Sequence, residues 1–190
     1  MQAPPTLELP RLRCAPFHEA LQVDPGGSAA HSDAFLCVEV PLPWERDIGL
    51  HEPFASLPDD ELARTWRPLG LVPAEGDLPA RRVIAFTPQG EGVGLLTRRE
   101  WVVPLDALAD LCAAIVHEDD AALALHDDAL VTHDVEVVDL LVCTHGRRDT
   151  CCGGPGTTMY DALVARDRSI GGRRVRALRT SHLGGHRFAP

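Results

Sequence analysis

The chain has 190 residues, 45% of them hydrophobic, so it can bury a core and is not a disordered segment. Its 28 acidic and 18 basic residues leave a net charge of -10, which argues against a general binder of nucleic acid or of an anionic membrane. All the basic residues are arginine, and the lack of lysine excludes Schiff-base, pyridoxal-phosphate and Walker A chemistry.

The first part of the chain predicts an α/β unit from its hydrophobic periodicity and its turn signals. The predicted elements are a strand over 34–40, a helix over 59–66, hairpin strands over 83–87 and 92–97 around the turn 88–90, and an amphipathic helix over 105–116. An acidic stretch over 118–134 then predicts a connection made of a helix and a loop.

The second part repeats the order strand, loop, helix, strand. Its predicted elements are a strand over 135–142, a glycine-rich turn over 153–156, a helix over 157–167 with Thr157 as its cap, and a strand over 173–178. We therefore predict an α/β protein of tandem thioredoxin-like units, with mixed sheets and flanking helices. The expected domains are 1–134, including the acidic connector, and 135–190, a unit that stops before its hairpin and last helix.

Charge and hydropathy suggest where the chain works. Residues 1–142 carry a net charge of -16 and residues 143–190 one of +6, so the two parts are expected to differ in role or partner. The longest apolar run, 111–116, is too short to cross a bilayer, and the first residues do not form a secretory signal. We expect a cytoplasmic protein whose six cysteines are reduced and free to bind a metal.

Two pairs of potential metal ligands follow two of the predicted strands. Cys143 ends one strand, and Cys152 follows after eight intervening residues. His182 and His186 follow the next strand and bracket a pair of glycines, which favours a tight loop. Because neighbouring parallel strands end at the same edge of a sheet, the four side chains are expected to meet there.

Both zinc and an iron–sulfur cluster are compatible with two cysteines and two histidines. Structural zinc usually takes cysteines two to four residues apart, so the wider gap here is unusual for it, although zinc remains an alternative. Mixed cysteine and histidine ligation is established for Rieske [2Fe-2S] centres. Two thiolates leave an oxidised [2Fe-2S] unit neutral, which is expected to raise its reduction potential above that of an all-cysteine ferredoxin.

The motif around these residues resembles a known family. The sequence Cys143-Thr-His-Gly-Arg-Arg-Asp-Thr-Cys-Cys-Gly, followed by Ser-His182-Leu-Gly-Gly-His186-Arg-Phe-Ala, is similar to the sucrase/ferredoxin-like family of thioredoxin-like ferredoxins. The resemblance is dense over 143–189 and loose before it, where it includes Trp44. It implies a [2Fe-2S] cluster with Cys143 and Cys152 on one iron and His182 and His186 on the other. We find no glycosidase-like carboxylate pair that would support sucrose cleavage.

Other notable residues are expected to act in packing or support. Cys151 is an alternative ligand to its neighbour, and His145 is expected to structure the loop rather than bind metal. The three tryptophans are predicted to anchor the first core. The remaining cysteines are read as packing residues and the remaining histidines as surface residues: Cys14, Cys37, Cys112, His18, His31, His51, His117, His126 and His133.

The sequence therefore predicts a one-electron carrier that works with a redox partner protein, a reductase or an electron acceptor, rather than an enzyme with its own substrate. Nucleic acid and membranes are not expected partners, and the oligomeric state is open. The alternatives are a zinc-stabilised structural or interaction module, a thiol redox protein, and a truncated relic that binds no cluster. A thiol redox protein is disfavoured because adjacent cysteines are a poor substitute for Cys-x-x-Cys.

Overall fold

A computed structural model describes residues 20–22, 32–60, 65–74, 79–89, 96–132, 136–148, 150, 152–166 and 169–184. The described residues form seven strands. They are β1 (Ala34–Glu39), β2 (Trp66–Leu71), β3 (Ala80–Pro88), β4 (Leu96–Pro104), β5 (Val137–Cys143), β6 (Ser169–Ile170) and β7 (Arg173–Thr180). The helices are α1 (Leu108–Val116), α2 (Asp120–Ala124) and α3 (Thr157–Val164).

All seven strands belong to one mixed sheet with the order β4-β3-β1-β2-β7-β5, and β6 pairs with β7. The β1–β2 and β5–β7 pairs are parallel, and the other pairs are antiparallel. Pairing between β2 and β7 is confined to their ends, where Leu71 lies opposite Thr180. The two parts of the chain are thus joined through a short stretch of one sheet.

Successive side chains along each strand point to opposite faces of the sheet, so the strands contribute to two separate apolar clusters. Leu36 and Val38 of β1 belong to a core that also contains Leu111 and Ile115 of α1. Cys37, between them in the sequence, points to the opposite face and packs in a second cluster, with Leu69 and Ile84 among its members. α1 therefore covers one face of the β1, β3 and β4 strands.

The opposite face is covered by the sheet itself, which is curled. Glu100 of β4 contacts Arg176 of β7, and Arg98 of β4 contacts Asp139 of β5. Since β4 and β5 stand at opposite ends of the strand order, these contacts bring the two halves of the sheet face to face. The curl encloses the second apolar cluster together with a buried ionic network.

Several predicted elements are confirmed. β1, the helical segment from a 3₁₀ turn at Leu105–Ala107 into α1, and β5 lie where they are expected. The acidic connection contains α2 and a 3₁₀ turn at Asp127–Ala129, and β7 extends the last predicted strand to Thr180. Cys37 and Cys112 are buried packing residues, as predicted.

The helix expected over 59–66 is wrong at its end, because Trp66 begins β2. Residues 61–64 lie outside the described part. No strand was predicted here because Pro68 and Gly70 are weak strand formers. Pro68 is accommodated because β7 pairs with β2 only at Leu71, and Gly70 is required because a Cβ there would lie 2.6 Å from Ile48 Cδ1.

The predicted hairpin is confirmed, but its second strand was misplaced. β3 and β4 pair from Ala80 opposite Pro104 to Pro88 opposite Leu96, whereas the second strand was expected over 92–97. Arg98 and Glu100 concealed the rest of β4, because these charged side chains face the interior of the curl rather than solvent. β6 was also missed; it forms a tight hairpin with β7 through Gly171 and Gly172, both at positive φ.

The start of α3 differs from expectation. The glycine-rich segment Cys152–Gly156 forms a π-helical turn that leads directly into the helix. Thr157 does not cap the helix with an accepting oxygen; its hydroxyl donates to the carbonyl of Gly153 at 2.8 Å. The helix ends at Val164, before the predicted end, and residues 167–168 lie outside the described part.

The chain is thus a mixed α/β protein with a curled sheet and few helices. Tandem thioredoxin-like units, the shortened second unit and the boundary at 134/135 stay predictions. Among the described residues, every helix is too short or too polar to span a bilayer.

Candidate metal centre

The candidate site lies where two parallel strands end. β5 and β7 run side by side with Cys143 opposite Thr180, and the amide of Thr144 donates to the carbonyl of Thr180 at 3.0 Å. Beyond β7, the amide of Ser181 donates to the carbonyl of Gly70 at 2.8 Å. This pairing positions His182 at the same edge as Cys143. The expectation that Cys143 and His182 lie at the same edge of a parallel strand pair is confirmed.

The loop between the two cysteines is closed by a contact between glycines. A Cβ on Gly153 would lie 2.6 Å from the Cα of Gly146, closer than any side chain could approach. The two backbones therefore touch only because both residues lack side chains. This close approach turns Cys152 back toward Cys143.

Three potential ligand atoms converge at this edge. The Sγ atoms of Cys143 and Cys152 and a ring nitrogen of His182 all lie within 4.8 Å of one another. Cys152 is buried, whereas Cys143 and His182 are partly exposed. Thiolate and imidazole ligands suit zinc and iron–sulfur centres and do not suit calcium or magnesium, which prefer oxygen. The geometry supports a soft or borderline metal and leaves its identity open.

The remaining predicted ligands are not placed. His186 and the alternative ligand Cys151 lie outside the described residues. The fourth ligand of the proposed site therefore stays a prediction, as does the choice between the adjacent cysteines.

His145 lies close to the candidate site without belonging to it. It is 3% exposed, and its ring meets that of Trp44 edge to face with centroids 5.5 Å apart. Burial lowers the pKa of His145, the backbone of Glu45 opposes that shift, and nearby Arg148 reinforces it. The imidazole packs behind the cysteine loop and is outside the group of three converging ligands.

The tryptophans are core residues, as predicted, but one also approaches the site. Trp44, Trp66 and Trp101 are all buried. Trp44 also contacts His145, which packs behind the cysteine loop. The histidines read as surface residues are partly buried where they are described, namely His51, His117 and His126. Cys14, His18, His31 and His133 lie outside the described residues.

The surroundings of the site are cationic. Arg67 of β2 reaches the end of β7, where its Nη2 donates to the carbonyl of His182 at 3.5 Å. On the other side of the loop, Arg179 Nε donates to the Thr144 hydroxyl at 3.4 Å. Positive charge favours the thiolate over the thiol, so this setting favours metal binding by the cysteines. The position of Arg67 beside the site was not predicted, because it depends on β2, a strand that was not predicted either.

A family match covers residues 25–190, nearly the whole chain. The chain belongs to the sucrase/ferredoxin-like family. Comparison with curated proteins and with solved structures gave no match. The family resemblance inferred from the cysteine and histidine motif is confirmed.

In this sucrase/ferredoxin-like protein the conspicuous motif and the converging side chains coincide. Three of the four residues in the expected ligand set are described, and all three form the candidate metal-binding group. The family membership and the geometry thus point to the same edge of the sheet.

Proposed function

We propose that this protein is a one-electron carrier whose [2Fe-2S] cluster is held by Cys143, Cys152, His182 and His186. The observation that carries the proposal is the convergence of two cysteine sulfurs and an imidazole within 4.8 Å at the end of the β5–β7 pair. Membership of the sucrase/ferredoxin-like family supports it. The cluster would supply one-electron redox chemistry when bound.

The protein's own residues would hold and tune the centre. The buried Cys152 lies on a backbone fixed by the contact between Gly146 and Gly153, so its sulfur is positioned before metal binding. Neutral imidazole ligands add no negative charge, and the nearby Arg67 adds positive charge. Both effects are expected to stabilise the reduced state and so raise the potential.

Partial exposure suits exchange of electrons with another protein. Cys143 and His182 are neither fully buried nor fully exposed, so the centre would lie near the surface. A redox partner, a reductase or an acceptor, could then approach without a substrate pocket. The acidic first part of the chain would suit a basic patch on such a partner.

A zinc site is the second candidate, and one observation favours it. All three described ligands lie close enough together to share a single ion, as tetrahedral structural zinc requires. Zinc would stabilise the ends of β5 and β7 without redox chemistry. The protein would then be a structural or interaction module.

Metal and acid-labile sulfide analysis after anaerobic purification separates these functions. The proposal predicts about two irons and two sulfides per chain, absorption between ~400 and ~600 nm, and a reversible one-electron couple. One zinc per chain with no sulfide would establish the second candidate instead. A protein that binds neither after reconstitution would refute both.

Cysteine variants then assign the ligands. Cys143→Ala and Cys152→Ala are expected to abolish stable metal binding, because each removes a sulfur ligand. Cys112→Ala is the matched control, since Cys112 is a buried cysteine that lies in the α1 core, away from the candidate site. Loss of metal in the control as well would show that unfolding, rather than ligand removal, explains the effect.

A further inference from the structure

A pocket lined by arginines lies beside the candidate metal centre. Its volume is ≈ 270 Å³, and it is bordered by His182 and by Arg46, Arg67 and Arg148. Asp47 is the single carboxylate among its described lining residues. Three arginines and one carboxylate residue therefore line this small space in the described part of the chain.

These arginines are not neutralised by ion pairs with the described residues. Arg67 donates to the carbonyl of His182, and Arg148 Nη1 donates to the carbonyl of Arg46 at 3.4 Å. The Asp47 carboxylate accepts a hydrogen bond from the amide of Gly49 at 3.0 Å. Among the described residues, Arg67 and Arg148 thus contact carbonyl oxygens rather than carboxylates, which favours an anion in the pocket.

The neighbouring Arg147 differs from the arginines that line the pocket, because it contacts a carboxylate. Its Nη1 lies 3.3 Å from Oε1 of Glu45, and it does not line the pocket. Within the described part of the chain, the arginine outside the pocket is therefore ion-paired and the arginines that line it are not.

Two features indicate that the pocket is built rather than incidental. Arg67 is partly buried, and Gly184 packs on its guanidinium so closely that a Cβ there would lie 2.8 Å from Nη2. His145 also lines the pocket and is 3% exposed, so a buried imidazole forms part of the pocket wall. The pocket wall is therefore formed by packed side chains rather than by freely moving surface groups.

We propose that this pocket binds a small oxyanion, a phosphate or a short carboxylate, through Arg67 and Arg148. Arginine forks match the oxygens of both groups. The volume lies just below the range of about 300–1,000 Å³ for drug-sized ligands, which suits an anion of a few heavy atoms. The inference goes beyond the proposed electron carrier and does not require a metal.

Calorimetric titration tests the proposal with two probes, inorganic phosphate and succinate, each at ionic strength held constant with chloride. Both the metal-free and the metal-loaded chain are titrated. Saturable binding of one anion per chain is expected, and the tighter of the two probes identifies whether phosphate or carboxylate is preferred. If neither probe binds saturably at millimolar concentration to either form, the proposal is overturned.

Substitutions locate the site. Arg67→Gln and Arg148→Gln are expected to weaken binding about tenfold or more, because each removes a charge-assisted contact. Arg147→Gln is the matched control and is expected to change the affinity less than twofold. Arg148 is exposed, so its variant keeps the test valid even if Arg67→Gln does not fold. Equal weakening by all three would overturn the site and indicate a general charge effect.

The outcome is separable from that of the proposed function. Anion binding without any metal binding would refute the electron carrier and leave the pocket established. A cluster-bearing protein that binds neither phosphate nor succinate would support the electron carrier and refute the anion site.

Discussion

Arg176 of β7 donates two hydrogen bonds to Glu100 of β4, at 3.0 and 3.2 Å, although three strands separate β4 from β7 in the sheet. The same carboxylate contacts the guanidinium groups of Arg82 and Arg98. Asp139 of β5 adds a second buried carboxylate, which contacts Arg98 and Arg176. This ionic network joins the two halves of the curled sheet.

Replacing Glu100 with Gln is expected to lower the free energy of unfolding by about 3 kcal/mol, because it removes a buried negative charge that three partly buried guanidinium groups share. Urea denaturation of the metal-free protein measures the change. Glu136→Gln is the matched control: Glu136 pairs with Arg173 on the surface and is expected to contribute less than about 1 kcal/mol. Similar losses in the two variants would contradict a special role for the network.

The network also predicts acid sensitivity. Burial alone would raise the pKa of Asp139, but hydrogen bonds from Arg176 and Arg98 outweigh it and hold the pKa below its usual value. A carboxylate with a depressed native pKa contributes stability above its unfolded pKa of about 3.9, and that contribution is lost as the pH falls through the native pKa. Stability should therefore fall on acidification below about pH 5.

Asp139→Asn removes that titrating group. The variant is expected to be less stable than the parent at pH 7, with a shallower loss of stability between pH 5 and pH 2. Urea midpoints measured across this range provide the check. Parallel pH profiles for the two proteins would show that other carboxylates govern acid unfolding.

Thiol reactivity should distinguish core cysteines from the candidate ligands. Burial raises the pKa of Cys112 to about 12 and raises that of Cys37 still further, helped by Asp139. Neither should react with iodoacetamide at pH 8 in the folded protein, because the thiolate is the reactive form. The partly exposed Cys143 should react in the metal-free protein and be protected by bound metal. Peptide mapping by mass spectrometry reads each position, and rapid labelling of Cys112 would contradict the assignment.

The contact between glycines should be essential to the site. Gly153→Ala places a Cβ 2.6 Å from Gly146 Cα, so the loop must shift, and metal affinity is expected to fall at least tenfold. Gly154→Ala is the matched control, since a Cβ there meets nothing within 4 Å. Competition with a chromophoric chelator measures both affinities. Equal affinities would show that the loop tolerates the shift.

Replacing an imidazole ligand with a thiolate should lower the reduction potential of the centre. If His182 binds a [2Fe-2S] cluster, His182→Cys is expected to retain cluster and lower its potential by on the order of 100 mV, because the ligand adds negative charge. Protein-film voltammetry measures the shift. The remote variant His126→Cys should leave the potential unchanged, and an unchanged potential in His182→Cys would show that this residue is not a ligand.

The local signals of the sequence predicted much of the fold and of the site. Hydrophobic periodicity predicted β1, α1 and β5, because each of these elements carries a regular apolar face or a continuous apolar run. The motif identified Cys143, Cys152 and His182 as candidate ligands. Their convergence could be predicted because it requires only that the two strands before them are neighbours and parallel. These inferences depend on short-range pattern and simple topology.

Features set by tertiary contact were missed. β2 contains Pro68 and Gly70, which a strand tolerates only because of its particular neighbours in the sheet. The charged residues of β4 resemble a solvent-facing segment, yet Glu100 is buried against arginines from distant strands. Arg67 reaches the site only through β2, so nothing near it in the sequence indicates its role.

The order of the candidate ligands along the chain bears on how the protein matures. β1 to β4 and α1 precede Cys143, so that half of the sheet leaves the ribosome before the first of these candidate ligands does. Because the earlier part of a nascent chain tends to fold first, β7 would dock against an existing β2 edge. Metal delivery would then be a late event in biogenesis, acting on a chain whose scaffold is already in place.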